Sequence, residues 1–254
     1  MTANPHKTLA LHLRALKLPA FNLHWEEVAS SAEKQGWSFG QFLHHLAELE
    51  MERRRTRRIE RFLHGSNLPA TKTLGTLDLE KLPDKVRKAL PRLCGGGFVD
   101  RGDNLLVFGL PGRGKTHVVC AIGHELVRSG RQVYFASTNL LVQRLLAAKR
   151  DLQLERELKR LDRFDAVILD DLGYVQQDRA EMEVLFTLLA ERYERKSVII
   201  TSNLVFSQWD QIFKDPMTTA AAIDRVVHHS VILEMTNESI RENEAKARQK
   251  GDLG

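Results

Sequence analysis

Eight consecutive residues, Gly109-Leu-Pro-Gly-Arg-Gly-Lys115-Thr116, have types and a spacing that suit phosphate binding. They fit the pattern G-x-x-x-x-G-K-[ST] of the P-loop, in which backbone N–H groups at the start of a helix surround a phosphate. Lys115 would reach the β- and γ-phosphates of a nucleotide, and the Thr116 hydroxyl would bind Mg²⁺. An apolar run before the motif and a helical pattern after it favour this interpretation over a glycine-rich turn that binds nothing.

A second pattern, Phe164-Asp-Ala-Val-Ile-Leu-Asp170-Asp171, places two carboxylates at the end of an apolar strand. Ligands of open α/β sheets bind at such strand ends. Asp170 would hold Mg²⁺ through water, and Asp171 would orient or deprotonate an attacking water. Alone, the pattern is equally typical of a strand followed by an acidic turn. Its position 55 residues after Lys115 favours the functional interpretation.

A third apolar run, Ser197-Val-Ile-Ile-Thr-Ser-Asn203, also ends in small polar residues. If this strand neighbours the one that precedes the P-loop, Asn203 would hydrogen-bond the γ-phosphate or the attacking water. The alternative is that Asn203 is only a polar strand cap.

The densest charge in the chain is an arginine-rich run between Glu50 and Arg61. Four of its arginines would share one helical face and could bind several phosphates of a nucleic acid without reading its sequence. A solvated helix face, in which Glu50 supports Arg54, explains the run equally well. Aromatic residues do not interleave it, so base stacking is not favoured. The candidate DNA contacts are Arg53, Arg54, Arg57, Arg58 and Arg61.

Two late arginines carry no chemistry by their spacing alone. Arg225 is typical of a surface helix arginine, and Arg241 of a tail residue that pairs with nearby glutamates. His228 and His229 are adjacent, so they would not face one metal ion from a helix, and we interpret them as structural.

The pattern of apolar residues divides the chain into three regions. Residues 1–68 are predicted to form a small all-α domain, 69–103 a linker rich in proline and glycine, and 104–254 an α/β domain. Five short apolar runs predict strands buried on both faces, at 104–109, 132–136, 165–170, 197–201 and 230–234. Helical patterns at 115–128, 139–161 and 179–194 lie between them. This alternation predicts a parallel sheet with helices on both sides.

The composition excludes several classes of protein. With 254 residues, 43% of them hydrophobic and 28% charged, the chain predicts one or two globular domains. It has no apolar run of about 18 residues and no secretory signal, so no membrane association is expected. Cys94 and Cys120 cannot build a disulfide framework or a zinc site alone, which favours a reducing cytoplasm. The net charge of +5 is a mild bias towards polyanionic partners.

Taken together, these residues resemble the IstB-type AAA+ ATPases of the IstB/DnaC group. The resemblance covers about residues 9–244 and is carried by GLPGRGKTH at 109–117, AVILDDLG at 166–173 and VIITSNL at 198–204. The stretches LKLPAF at 16–21, LPATKTL at 68–74, FSQWDQIF at 206–213 and DRVVHH at 224–229 extend it. It implies a three-layer αβα parallel sheet of order 5-1-4-3-2.

The resemblance also implies roles for individual residues. The nucleotide would lie between subunits, so that Arg225 acts in trans as an arginine finger. The family's final Ser-Tyr-Arg is Ser239-Ile240-Arg241 here, so Arg241 would be a sensor-like contact to the γ-phosphate, although the tyrosine is replaced. Segment 93–102 would line the adenine pocket. The implied ATP contacts are Gly109, Pro111, Gly112, Arg113, Gly114, Lys115, Thr116 and His117.

The function implied is that of an ATP- and Mg²⁺-dependent ATPase, bacterial and cytoplasmic, that forms homo-oligomers. It would bind duplex DNA largely without sequence preference and assist a cognate transposase. The first alternative is a DnaC-like replicative helicase loader, which would bind single strands. The second is a nucleotide-dependent scaffold without useful hydrolysis, and the presence of Asp171 in place of an apolar residue argues against it.

Overall fold

A computed structural model describes residues 5–173, 179–204, 208–209 and 216–240. The chain forms two compact units, Met1–Arg61 and Phe62–Gly254. The functional division at residues 68 and 103 stays a prediction. Among the described residues, none of the helices is both long and apolar enough to cross a membrane.

The first unit is helical, as the pattern of apolar residues predicts. Helix α1 spans Pro5–Ala15, α2 spans Pro19–Gln35 and α3 begins at Phe39, ending at Ser66. Gly36 ends α2 in the left-handed conformation, with φ at 68°. A capping box precedes α3, since Ser38 N donates to Gln41 Oε1 at 2.8 Å and Gln41 N donates to Ser38 Oγ at 3.3 Å.

The second unit contains a five-stranded parallel sheet. Its strands are β1 (Asn104–Phe108), β2 (Val133–Ser137), β3 (Ala166–Leu172), β4 (Ser197–Ser202) and β5 (Ser230–Glu234). Their order is β2-β3-β4-β1-β5, which confirms the predicted order. Strands β1, β3 and β4 are almost entirely buried, because helices cover both faces of the sheet.

Helices α4 (Asp84–Cys94) and α5 (Gly97–Asp100) precede the sheet. The others are α6 (Lys115–Arg128), α7 (Thr138–Arg150), α8 (Leu154–Leu161), α9 (Arg179–Arg192) and α10 (Pro216–Val227). Successive residues of β3 show the three layers. Ile168 packs beside Gly123 of α6, whereas Val167 and Leu169 join the apolar cluster formed with α7 and α9.

The single helix predicted over 139–161 is wrong, because the chain breaks between Arg150 and Leu154. Leu152 adopts the left-handed conformation, with φ at 56°. Its N–H donates to Lys149 O, and the Gln153 N–H donates to Ala148 O at 2.7 Å. These two bonds form a Schellman motif, which ends a helix. It is built here on an exposed leucine in place of glycine, so no glycine marks the break in the sequence.

A buried arginine, Arg192, connects several segments of this unit by hydrogen bonds at the end of the sheet away from the P-loop. Arg192 of α9 is 2% exposed and donates to the carbonyls of Leu161, Phe164 and Ser197, at 3.0, 2.9 and 3.0 Å. It therefore joins the end of α8 to the segments that enter β3 and β4. Burial lowers the pKa of Arg192 to about 10, so the guanidinium remains charged at neutral pH.

Replacing this arginine should destabilise the fold. Arg192→Met keeps much of the volume but removes the guanidinium that donates to these three carbonyls, which costs about 2–5 kcal/mol. Urea denaturation followed by circular dichroism would measure the loss. Arg195→Met, which removes an exposed ion pair with Asp162, is the control and should cost less than about 1 kcal/mol. Equal losses in the two variants would contradict this role for Arg192.

Candidate nucleotide-binding site and basic groove

The P-loop leaves the end of β1 in a conformation that depends on glycine. Gly109, Gly112 and Gly114 have φ values of 153°, 81° and 89°. A Cβ on Gly109 would lie 2.7 Å from Met235 Cβ and 2.8 Å from Met235 O, so the loop runs against the chain that follows β5. The loop therefore has both the backbone freedom and the close packing that its glycines predicted.

Lys115 begins α6, so its ammonium lies at the helix end that favours negative charge. The residue is 6% exposed, and its Nζ donates to Gly109 O at 2.7 Å and to Leu110 O at 3.1 Å. The first N–H groups of a helix have no partners within it. The ammonium and these N–H groups together can bind an anion held by the loop.

Asp170, at the end of β3, is the most constrained group of the site. Its Oδ1 accepts hydrogen bonds from Thr116 Oγ1 at 3.0 Å and from Thr201 Oγ1 at 2.6 Å. Its carbonyl accepts one from Thr138 Oγ1 at 2.9 Å. Burial raises the pKa of Asp170, and the hydroxyl of Thr201 opposes this shift. The structure thus brings Thr116 and Asp170 together, as the two motifs predicted.

Asp171 follows in a β-bulge, and its side chain is exposed whereas that of Asp170 is buried. Leu169 pairs with Ile200 and Leu172 with Ser202, so β3 contains one more residue than β4 across this stretch. Asp171 has a φ of 59°, and its N–H donates to Thr201 Oγ1 at 2.8 Å. Such backbone strain in a residue other than glycine is often found at functional sites.

A cleft of about 280 Å³ lies over these groups. Asn203 reaches it because β4 neighbours β1, which is the condition set for Asn203 from the sequence. Eight of the predicted residues line the cleft, together with two that were not predicted, Lys72 and Ile240. The eight are Pro111, Gly112, Gly114, Lys115, Thr116, His117, Asp171 and Asn203.

Arg113 and His117, which were predicted to contact ATP, make hydrogen-bond contacts with other parts of the chain. Arg113 NH1 donates to Met235 O at 2.9 Å, and Arg113 does not line the cleft. His117 lines it, but its Nε2 lies 3.2 Å from Thr73 O and 3.1 Å from Thr76 Oγ1. These two residues therefore fasten neighbouring segments to the loop and to α6.

The two late arginines are placed differently. Arg225 lies on α10, does not line the cleft of its own chain and stacks 4.5 Å from the ring centre of Phe186. Its NH1 is buried and has no hydrogen-bond partner among the described residues. Arg241 lies outside the described residues. The preceding Ile240 donates its N–H to Gly112 O at 3.0 Å.

Segment 93–102, expected beside the adenine, packs at the other end of α6. Gly96 lies against Leu126 and Arg131, and Arg131 forms an ion pair with Asp100 at 2.7 Å. Its residues do not line the cleft. Segment 69–76, by contrast, reaches the cleft through Lys72.

The first unit has a basic groove of about 810 Å³, lined by part of α3 and by the turn between α1 and α2. Seven of the residues that line this basic groove are cationic: Arg14, Lys17, Arg53, Arg54, Arg57, Arg58 and Arg61. All five arginines proposed from the sequence are therefore among them. Arg14 and Lys17 are additions that helical spacing within α3 could not identify.

Glu50, the acidic residue of the basic groove, is only 4% exposed and braces its wall. It accepts hydrogen bonds from Ala20 N and from Arg54 Nε, both at 2.8 Å, and Arg54 NH2 donates to Lys17 O at 2.9 Å. Although burial opposes it, hydrogen bonding to Arg54 and Ala20 lowers the pKa of Glu50. Arg54 therefore has a structural contact in the groove. The alternative interpretation of the arginine-rich run, in which Glu50 supports Arg54, describes this contact.

The sheet order, the P-loop after β1 and the paired aspartates near the end of β3 define an ATP-binding protein of the AAA+ type. A family model described as "IstB-like ATP binding protein" matches residues 11–248, and the chain belongs to this family. An insertion-sequence ATP-binding protein of Sinorhizobium fredii is 44% identical over 95% of this chain and 83% of its own length. The IS21 ATP-binding protein of Pseudomonas aeruginosa is 36% identical over 94% and 90%.

Solved structures agree on the fold. The crystal structure of the DnaC helicase loader superposes with a TM-score of 0.52 at 17% identity, over 68% of this chain and 98% of that one. DnaA of Aquifex aeolicus, bound to AMPPCP, superposes with a TM-score of 0.57 at 17% identity, over 73% and 56%. At these identities the likeness extends to the fold alone.

Gly109→Ala should test the close packing of the P-loop against Met235. The added methyl group would displace Met235 and strain the backbone, lowering the free energy of unfolding by about 1–3 kcal/mol. Urea denaturation measures this change. The control is Gly65→Ala, because that position in α3 is open and helical and should keep or gain up to about 1 kcal/mol. An unchanged Gly109→Ala variant would refute the close approach to Met235.

Proposed function

We propose that this protein is an ATP-dependent, oligomerising, DNA-binding ATPase that assists and regulates a transposase in DNA transposition. The observation that carries the proposal is the convergence of Lys115, Thr116, Asp171 and Asn203 on one cleft, above the buried Asp170. The curated relatives described above are named as insertion-sequence ATP-binding proteins, which supports the transposition context.

In this proposal the P-loop binds the triphosphate of ATP. Lys115 releases its bonds to the loop carbonyls and moves its ammonium to the β- and γ-phosphates, while the first N–H groups of α6 donate to the same oxygens. Pro111, Gly112 and Gly114 shape the loop around the phosphates, with Gly109 at its base. Arg113 and His117 hold the surrounding segments in place.

Hydrolysis then needs an oriented water molecule. Asp171 accepts a proton as the water oxygen forms its bond to the γ-phosphorus and the bond to the β-phosphate oxygen breaks. Asn203 donates to the γ-phosphate or positions the water. Asp171 lines the cleft whereas Asp170 is buried, and this difference supports the assignment.

The residues present fit Mg²⁺. A threonine hydroxyl and a buried carboxylate 3.0 Å apart offer the oxygen ligands that this ion prefers. Thr116 would bind it directly, and Asp170 through water. When bound, Mg²⁺ neutralises charge that develops on the phosphates during transfer.

Oligomerisation would complete the site. Arg225 is remote from the cleft of its own chain, and its NH1 makes no hydrogen bond among the described residues. An arginine in this state suits a role in trans, in which a neighbouring subunit's nucleotide supplies the acceptor. Arg241 remains a proposed sensor-like contact from the same subunit as the P-loop.

The basic groove is the proposed contact to duplex DNA. Its cationic residues suit a phosphate backbone, and the one acidic residue beside them is already bonded to Arg54 and Ala20. Contacts to phosphates alone would give binding largely independent of sequence and strongly dependent on salt. ATP would favour assembly on DNA, and hydrolysis, stimulated by the transposase, would release or remodel the complex.

A DnaC-like helicase loader is the second candidate, favoured by the superposition on the DnaC fold. It shares the ATPase core but would bind single strands and a replicative helicase. Titration of labelled duplex and single-stranded DNA, with and without ATP at two salt concentrations, separates the candidates. Cooperative ATP-dependent binding to duplex supports the transposition helper, and preference for single strands supports the loader.

Lys115→Ala should abolish the ATP dependence in that titration. Loss of one charge-assisted contact costs about 1.5–3 kcal/mol, or roughly tenfold to a hundredfold in ATP affinity. Calorimetric titration with ATP measures the affinity, and release of phosphate measures turnover. A Lys115→Ala protein that kept ATP-dependent DNA binding would contradict both candidate functions.

A paired substitution tests the basic groove. Arg57→Ala with Arg58→Ala should weaken duplex binding at least tenfold and reduce the slope of log affinity against log salt by about 2, one unit for each lost phosphate contact. Arg55→Ala is the control, because Arg55 lies on the same helix but does not line the groove. If Arg55→Ala alone reduced the slope by about 1, half the effect of the paired variant, the binding would depend on general charge and not on the groove.

A further inference from the structure

Segment 69–76 belongs to the region 69–103 that was predicted from the sequence to be a linker, and the structure attaches it to α6 by hydrogen bonds. His124 Nε2 lies 3.1 Å from Pro69 O, and His117 Nε2 lies 3.2 Å from Thr73 O. A carbonyl oxygen only accepts hydrogen bonds, so both histidines donate here. They lie seven residues apart, on the same side of the helix. These two contacts hold the segment, at Pro69 and at Thr73, to the helix that carries the P-loop.

The backbone around Lys72 is fixed as well. The Lys72 N–H donates to Pro69 O at 3.1 Å, and the Thr73 N–H donates to Thr76 Oγ1 at 3.0 Å. The Thr76 hydroxyl in turn donates to Thr71 O at 2.7 Å. The segment is therefore a small hydrogen-bonded turn that sets the direction in which the Lys72 side chain leaves.

The Lys72 side chain lines the phosphate cleft. Lys72 is distant from the P-loop in the sequence but lies beside it in the fold. It shares the cleft with Lys115, Thr116 and Asp171, and its charge acts on the nearby Asp170 carboxylate. Within the described part of the chain, the structure shows no ion pair or hydrogen bond from the Lys72 ammonium. Lys115, by contrast, already donates to two carbonyls.

We propose that Lys72 is a second phosphate-binding lysine, which contacts the terminal phosphate of ATP from outside the P-loop. The inference deepens the proposed ATPase function and rests on it. An ATP triphosphate carries more negative charge than Lys115 alone can neutralise, and a lysine on a fixed turn supplies a point charge without rearranging the loop. The side of the cleft that holds Thr116 and Asp171 is where the terminal phosphate would lie.

The contact would also couple the nucleotide to segment 69–76. A γ-phosphate bonded to Lys72 adds a third point of attachment to a turn already held by His117 and His124. The turn should open less often when ATP is bound, and ADP, which lacks this phosphate, should have a smaller effect. The segment would thereby distinguish the two nucleotides.

The test compares Lys72→Met, Lys72→Arg and the control Lys81→Met in the full chain. Lys81 is an exposed lysine of the same region, paired with Asp78 at 3.1 Å. Calorimetry with Mg²⁺ and either ADP or a non-hydrolysable ATP analogue gives both affinities, and hydrogen exchange follows amides 70–76. We expect Lys72→Met to lose about tenfold to a hundredfold in affinity for the ATP analogue, and less than about threefold for ADP.

The same variant should lose the extra protection of amides 70–76 that the ATP analogue gives to the wild type. Lys72→Arg should restore part of both effects, and Lys81→Met should match the wild type. Unchanged affinity in Lys72→Met, or equal losses for the two nucleotides, would overturn the inference and leave the ATPase function intact. A wild type that binds neither nucleotide would overturn the proposed function, and the inference with it.

Discussion

The carboxylate of Asp170 is buried between a helix and two strands, and the rest of the site depends on how its charge is accommodated. Thr116 of α6 and Thr201 of β4 both donate to the same oxygen, and Thr138 of α7 holds the carbonyl of the same residue. Burying a carboxylate without such donors would be costly. Because the donors come from three elements, the ends of β3 and β4 and the starts of α6 and α7 must meet at one point. The order of the sheet satisfies this requirement.

Much of the fold was accessible from the sequence because its patterns are local. Apolar runs gave five strands within one or two residues of their observed bounds, and the family resemblance gave their order. The break between α7 and α8 was missed, since an exposed leucine adopts the left-handed conformation that glycine usually marks. The bulge at Asp171 was also missed. The pairing between β3 and β4 determines the backbone conformation of Asp171, and no sequence motif encodes that pairing.

The candidate site divides in the same way. Lys115, Thr116 and the two aspartates lie in motifs whose spacing is set by one turn or one strand, so the sequence identified them. Thr201 and Lys72 reach the site through tertiary packing. Thr201 lies in the third apolar run, where only Asn203 was assigned a role, and Lys72 lies in a stretch to which no phosphate chemistry was assigned. Arg54 shows the converse. Its helical spacing matched that of the neighbouring arginines, yet its guanidinium donates hydrogen bonds to the buried Glu50 and to the carbonyl of Lys17.

The sheet order has a consequence for how the protein is made. Strand β1, which leads into the P-loop, pairs with β4 and β5 and with neither β2 nor β3. Asn104, its first residue, bonds to Val198 and Val226, which lie 94 and 122 positions later in the chain. On the ribosome, β2 and β3 can pair while β1 still lacks both neighbours. At that stage β1 is an unpaired apolar strand, so we expect the second unit to fold slowly and to be prone to aggregation until β4 has emerged.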